Sequence, residues 1–375
     1  MELVSAMSDG EGGRPDTDTL IALGVYDPED EHAELRLELL HYLLDLGATK
    51  DDLVGYRDGL PGLAAVLAIR EGPVRTLNEV AESSNLDVDD IRRFVRAAGF
   101  PDPDPDLPVF TQGFANLVGS AGDAVDIFGE HGFYQLIRVM GAAMARVADA
   151  VVSTFLVEIE PEAERKDPVG LAIARANVEA ASLLPLVPAV FDVLFRQHLI
   201  QSQRAPSPLV DRVGYETQQR VVGFVDLVGS AELAEDLGLS ELGAVLSAFE
   251  EMALDTVTQA RGRVVKHIGD EVLFTAPDAA AACRIALDLA AACDAHARLP
   301  QARVGLARGK VMLREGDVFG PVVNLAARLV KTAEPSQVVT TEDVAKSAGC
   351  EFESIGRRSL KGIATEAHLV ALVGP

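Results

Sequence analysis

Two short segments place an aspartate beside a glycine at the end of an apolar run. The first is Gly223-Phe224-Val225-Asp226-Leu227-Val228-Gly229-Ser230, and the second, about forty residues on, is Val264-Val265-Lys266-His267-Ile268-Gly269-Asp270-Glu271. Two carboxylates held in this way can grip two divalent cations against a triphosphate. Gly229 and Ser230 open a predicted helix whose first amides can cradle phosphate, and Gly229 lets the backbone approach closely. Taken alone, an aspartate before a helix is also an ordinary cap, and a Gly-Asp pair an ordinary hairpin turn. Here, however, Lys266, Asp270 and Glu271 crowd one turn between apolar strands. Packed like charges raise one another's pKa unless a cation intervenes, so the pattern points to metal-assisted phosphoryl chemistry.

Further along, Gly316-Asp317-Val318-Phe319-Gly320-Pro321 leads into Val322-Val323-Asn324-Leu325-Ala326-Ala327-Arg328. Asn324 and Arg328 stand four apart on a predicted helix and project from one face. An amide and a guanidinium there can orient a ribose and neutralise charge growing on a phosphoryl group. For that pair by itself, a solvated polar stripe is the alternative.

The elements that must position these residues follow from periodicity. From Arg220 onward, predicted strands (221–227, 263–266, 271–275, 303–307, 310–313, 337–340, 352–355, 367–373) alternate with predicted helices (230–236, 239–261, 278–298, 322–332), a pattern that packs as a helix-covered sheet. Residues 16–203 read as all-helical, subdivided near 101–108 by the alternating Pro-Asp run from Pro101 to Asp106. Residues 204–216, with Pro206 and Pro208, read as a linker, and 217–375 as the sheet domain. Residues 1–15 read as a disordered tail rather than a signal peptide, having neither a basic start nor an apolar core. Thr76-Leu77-Asn78-Glu79 is a capping box, and with the helix expected over 87–98 it makes a helix-turn-helix. Its arginines are answered by Asp87, Asp89, Asp90, Asp102, Asp104 and Asp106, so helical packing is the better reading than DNA recognition.

Composition narrows the classes. A net charge of −25 repels nucleic acid and anionic lipid alike, so no nucleic-acid partner is expected. Cys283, Cys293 and Cys350 lack metal-type spacing and read as reduced thiols of a cytoplasmic protein. The most apolar windows are broken by Arg138, Arg146 and Asp149, and by Pro185, Pro188 and Asp192. Buried helices, and no transmembrane segment, are therefore expected.

Taken jointly, residues 219–373 resemble the class III nucleotidyl cyclases. The resemblance rests on Phe224 to Ser230, on Lys266 to Asp270, on Gly305-Leu306-Ala307-Arg308-Gly309-Lys310, on Asp317 to Gly320 with Asn324 and Arg328, and on Leu360-Lys361-Gly362. It implies an α+β architecture, with a ferredoxin-like catalytic domain behind an all-α domain, and an adenylate cyclase converting ATP to cyclic AMP and pyrophosphate. Asp226 and Asp270 would be the metal ligands, holding two Mg2+ or Mn2+ ions per site. Lys266 and Asp317 match the purine-reading pair and suit adenine. Asn324 and Arg328 match the residues that position ribose and stabilise the transition state. Lys310 and Lys361 match basic positions at the triphosphate, beside Gly229 and Ser230. With one catalytic domain per chain, a homodimer with shared sites is implied. The alternative is a catalytically inactive ATP-binding signalling protein of the same fold.

The helical half resembles, more loosely, the regulatory domain of actinobacterial-type cyclases that respond to pH or bind fatty acid. A proton or a fatty acid is thus the implied regulator. His198, just before the linker, is the candidate proton sensor, and Met140–Val157 with Ala180–Phe195 can either line a lipid pocket or form ordinary helical core.

Overall fold

The computed structural model describes residues 15–70, 72, 74–84, 86–165, 167, 169–204, 209–210, 216–230, 235, 237–360 and 367–374. The chain divides into two compact units, Met1–Arg204 and Ala205–Pro375.

The described part of the first unit is helical: α1 (Thr17–Ala22), α2 (Ala33–Asp45), α3 (Lys50–Gly55), α4 (Leu60–Ile69), α5 (Leu77–Ser84), α6 (Val88–Ala97), α7 (Gln112–Gly119), α8 (Ala121–Thr154), α9 (Glu160–Glu164), α10 (Leu171–Ala181) and α11 (Val187–Arg204). One apolar cluster joins α1 to α4 with α10, through Leu20, Leu39, Leu43, Leu63 and Ala174. A second joins α5 and α6 with α7 and the start of α8, through Val80, Ile91, Phe94, Val118 and Phe133. The capping box forms: the Thr76 amide donates to Glu79 Oε2 at 2.8 Å and the Glu79 amide to Thr76 Oγ1 at 3.2 Å. On α6 the arginines are committed to carboxylates. Arg96 reaches both oxygens of Asp102 at 2.9 and 2.8 Å, and Arg93 pairs with Glu130.

One expectation is overturned. The apolar windows of α8 and α11 are not core: after Tyr134 no residue of α8 is buried, nor is any described residue of α11. The segments Ala121–Glu164 and Leu171–Ser202 are also long and apolar enough, by length and composition, to cross a membrane. The interrupting charges that argued for short segments do not break the helices, because Arg, Asp and Glu are tolerated on a helix surface.

In the second unit the sheet runs in the order β3 (Arg263–Ile268), β4 (Glu271–Ala276), β2 (Glu216–Leu227), β5 (Ala302–Arg314), β7 (Val338–Thr341), β9 (Ala367–Gly374), β8 (Glu351–Arg358). A two-residue strand β1 (Leu209–Val210) pairs with β2, and β6 (Asp317–Phe319) with β5. Among the described residues only the β5–β7 pair is parallel. Helices Leu239–Gln259 and Ala279–Ala295 cover one face over Val221, Val225, Val304 and Leu306. Helix Pro321–Val330 covers the other over Val222, Phe224, Ala307 and Val311. Buried on both faces, residues 221–227 of β2 read as an apolar run interrupted only by Asp226.

Two strand expectations change in detail. The runs 303–307 and 310–313 are one strand, since β2 pairs along the whole of β5, Arg220 opposite Gly309 included. Asp317, outside the expected strands, lies in β6, which folds back on β5 through Glu315 and Gly316, both at positive φ. The Glu342–Ala348 helix was not expected from the sequence. Most of the helix expected over 230–236 lies outside the described residues.

Candidate active site

Asp226 stands near the end of β2 and is 5% exposed. A carboxylate at that depth needs partners, and the register supplies them. Arg303 of β5 is directly opposite, and its Nε and Nη2 donate to Asp226 Oδ2 at 2.7 and 2.5 Å. Glu271 of β4 is opposite on the other side. Asp270 sits in the β3–β4 turn, where Gly269 takes φ +64°, and its carbonyl accepts from the Leu227 amide at 3.4 Å, tying the turn to the end of β2. The Ser230 hydroxyl donates to Asp270 Oδ2. Gly229, beside it, also adopts positive φ, which a side chain would strain.

The two aspartates therefore converge, each with a hydroxyl or guanidinium partner, and the electrostatics record it. Burial pushes the Asp226 carboxyl above its ordinary value, Arg303 draws it back, and Asp270 pushes it up again. Glu271 is raised by burial and by Asp226, with Lys331 at 3.7 Å partly offsetting. One guanidinium and one distant ammonium do not neutralise three clustered carboxylates, so the site is short of positive charge. Among the described residues no three His, Cys, Asp or Glu side chains converge as a closed metal cage. Two carboxylates with open coordination positions suit a hard divalent cation that takes its remaining ligands from water or phosphate oxygens.

A second group forms elsewhere on the same unit. Lys266 Nζ donates to Asp317 Oδ2 at 2.5 Å, and Asp317 Oδ1 accepts from the Val318 amide at 2.8 Å. β3 and β6 thus present a cation and an anion already aligned. A third group is carried by Pro321–Val330, where Asn324 is exposed and Arg328 half-buried. The helix lies close on β5 because residue 305 is glycine: a Cβ there would come within 2.2 Å of the Val330 amide nitrogen.

Among the described residues, no hydrogen bond or ion pair links the aspartate pair to Lys266, Asp317, Asn324 or Arg328. Lys310 is seven residues from Arg303 on β5, hence on the opposite face and roughly 20 Å along the strand, so it does not reach the carboxylates of its own chain. Lys361 lies outside the described residues. His198 is exposed on α11. Arg303 was missed from sequence. Its only signal was a charge in an otherwise apolar strand, and its meaning appears once register sets it opposite Asp226.

The profile of the adenylate cyclase regulatory domain matches residues 24–202, and that of the adenylate and guanylate cyclase catalytic domain matches 214–372. An uncharacterized protein of Mycobacterium tuberculosis is 34% identical over 331 residues, covering 86% of this chain and 85% of the relative. An adenylate cyclase of Streptomyces coelicolor is 33% identical over 265 residues, 70% of this chain and 68% of that one. A pH-sensitive adenylate cyclase of M. tuberculosis is 27% identical over 349 residues, 89% and 87% respectively. Among solved structures, the adenylyl cyclase CyaB from P. aeruginosa aligns over 43% of this chain and 97% of its own, with 20% identity and a TM-score of 0.39. The chain belongs to the class III adenylate cyclases that carry a helical regulatory domain ahead of the catalytic one.

Proposed function

We propose that this adenylate cyclase joins the ribose 3′-oxygen of ATP to its α-phosphate, releasing pyrophosphate, at sites shared between two copies of the chain, each copy supplying half of each site. One observation carries the reading. Asp226 and Asp270 converge at the end of β2, whereas Lys266 with Asp317, and Asn324 with Arg328, form groups without a bond to them among the described residues. A two-fold pairing lets one chain's aspartates face the partner's purine and ribose groups.

The residues fall into three tasks. Asp226 and Asp270 hold the two divalent cations, magnesium or manganese, and these ions supply charge neutralisation at the triphosphate and a lowered pKa for the attacking 3′-hydroxyl. Arg303 keeps Asp226 ionised, and the Gly229–Ser230 turn receives phosphate oxygens. Lys266 donates to a purine ring nitrogen and Asp317 accepts from the exocyclic amine, a pattern that fits adenine and mismatches guanine. Asn324 fixes the ribose, and Arg328 stabilises charge that develops on the phosphoryl group. Lys361 is assigned to the triphosphate from its motif alone. Lys310 belongs there only if the partner chain presents it.

The helical unit, 16–203, is the regulator, joined through 204–216 to the catalytic unit, 217–375. Its family match supports a regulatory role and its pH-sensitive relative a proton-dependent control of catalytic pairing, with His198 as one sensor to test, while a fatty acid as regulator rests on the resemblance alone. The reduced thiols and the nucleotide substrate favour a cytoplasmic setting.

Complementation tests the shared site. Asp226→Ala and Arg328→Ala proteins should each be inactive with manganese and ATP, and mixing them should restore cyclic AMP formation through one intact site per heterodimer. Silent mixtures in which heterodimers are demonstrated would refute sharing.

A further inference from the structure

A chain of polar side chains lies at the far edge of the second unit's sheet, away from the aspartates. Ser354 of β8 and His368 of β9 meet with Oγ and Nε2 2.8 Å apart, and His368 Nδ1 lies 3.0 Å from Glu342 Oε2. Lys346, one turn on in the Glu342–Ala348 helix, binds the other oxygen, Oε1, at 2.7 Å. Hydrogen bonds from Lys346 and from His368 hold the Glu342 carboxyl below its ordinary value. An ionised carboxylate only accepts, so in the neutral imidazole Nδ1 carries the proton and Nε2 is left as an acceptor. The Ser354 hydroxyl then donates to Nε2.

Strand pairing sets this geometry. Ser354 is opposite Val370 and Gly356 opposite Leu369, which leaves Ile355 as the extra residue of a bulge, a device that re-aims neighbouring side chains. Gly356 takes φ +88°, and its amide donates to Ser354 Oγ at 3.3 Å. A Cβ at Gly356 would meet nothing within 4 Å, so open space lies beside the hydroxyl. Arg357 is directly opposite His368, and residues paired in this way share one face of a sheet.

We propose that Ser354, His368 and Glu342 form a second catalytic centre on this chain, an acyl-transfer site that hydrolyses small carboxylic esters or thioesters. The order of the bonds assigns the roles: nucleophile, general base, and the carboxylate that orients the base. Ser354 Oγ attacks the acyl carbon, its proton passes to Nε2, and the carbonyl electron pair moves onto the oxygen. The Gly356 amide and Arg357 offer positive charge to that oxygen. Collapse expels the alcohol or thiol, which takes the proton from Nε2 and leaves acyl-Ser354. Water then attacks the acyl carbon and gives a proton to Nε2. The acid departs, and Ser354 takes the proton back.

Exposure separates this arrangement from a purely structural bond network. Such a network is strongest where water is excluded, yet Ser354 is exposed, and the side chains of His368 and Glu342 are 40% and 33% exposed. Exposure also bounds the substrate, because an open shelf selects small acyl groups weakly. The site is distinct from the ATP chemistry: β5, β7 and β9 stand between β2 and β8, about 19 Å at the usual strand spacing. All its residues come from one chain, so it does not depend on the shared-site reading.

The test uses full-length protein, a fluorophosphonate probe and p-nitrophenyl acetate. The probe should label Ser354, located by peptide mass spectrometry, in more than half of the chains, and Asp226→Ala protein should label equally. Glu342→Gln and His368→Gln should slow labelling roughly tenfold or more. Release of p-nitrophenol should exceed that of Ser354→Ala by roughly tenfold or more. Melting curves identify the folded variants, and Glu342→Gln, which keeps size and shape, decides where His368→Gln does not fold. No label on Ser354, labelling lost in Asp226→Ala, labelling as fast in Glu342→Gln as in the natural chain, or ester hydrolysis unchanged in Ser354→Ala would each overturn the proposal.

Discussion

Arg303 and Asp226 face one another across β5 and β2, and both donating nitrogens of the guanidinium converge on a single carboxylate oxygen, Oδ2. Burial alone would favour the protonated acid, which is useless as a metal ligand. The guanidinium opposes that shift, and because it comes from the neighbouring strand its position is set by the sheet rather than by a loop.

Removing that cation should leave Asp226 facing Asp270 uncompensated and raise its pKa further. Arg303→Ala should lower kcat/KM for ATP at least tenfold and move the acid limb of the pH-rate profile to higher pH, while Arg303→Lys should restore part of both. An acid limb that stays in place would show that Arg303 does not hold Asp226 ionised.

Lys266 and Asp317 meet at 2.5 Å, a pair arranged before any substrate arrives. Replacing Lys266 with methionine leaves Asp317 without its cation and, on the proposed reading, removes one contact to the base. The ratio of kcat/KM for ATP over GTP should fall at least tenfold, about 1.4 kcal/mol of discrimination. Steady-state kinetics on both nucleotides would check it, and an unchanged ratio would take the pair out of base selection.

Gly305 sets how closely Pro321–Val330 can lie on β5, since any Cβ there meets backbone rather than a movable side chain. Gly305→Ala should therefore displace the helix that carries Asn324 and Arg328. The expected cost is about 1–3 kcal/mol of stability, read from the urea midpoint of the unfolding transition, together with a kcat loss larger than any change in KM. A variant of native stability and full turnover would show that the helix tolerates the shift.

In the helical unit, Arg70 donates to both oxygens of Asp52 at 3.1 and 2.8 Å, and Thr49 caps through the same carboxylate. These bonds, Arg70 first, hold Asp52 at about 2 against an ordinary 3.8. A folded-state value below the unfolded one means stability that is fully present above about 4 and is lost as pH falls toward about 2. Asp52→Asn should cost about 1 kcal/mol at neutral pH after solvent screening, and should flatten the decline of thermal stability between pH 4 and 2. Melting curves across that range decide it, and parallel losses in both proteins would contradict the assignment.

Local signals in the chain alone were enough for the catalytic motifs, the capping box at Thr76, the hairpin at Gly269-Asp270 and the alternation of strand and helix. Each depends on interactions within a few residues: a side chain reaching its own backbone, a glycine admitting a tight turn, a period of apolar positions. What tertiary structure alone decided is non-local. The meeting of Arg303 with Asp226 requires β5 to pair with β2 in one register, and a slip of one residue would turn the arginine to the other face. The same alternation turns Lys310 away from the carboxylates of its own chain, although the family resemblance implied a place for it at the triphosphate. The apolar runs of α8 and α11 read as core because periodicity shows only that a face is apolar. What covers that face depends on which elements fold against it, and among the described residues the helical unit supplies none that buries it.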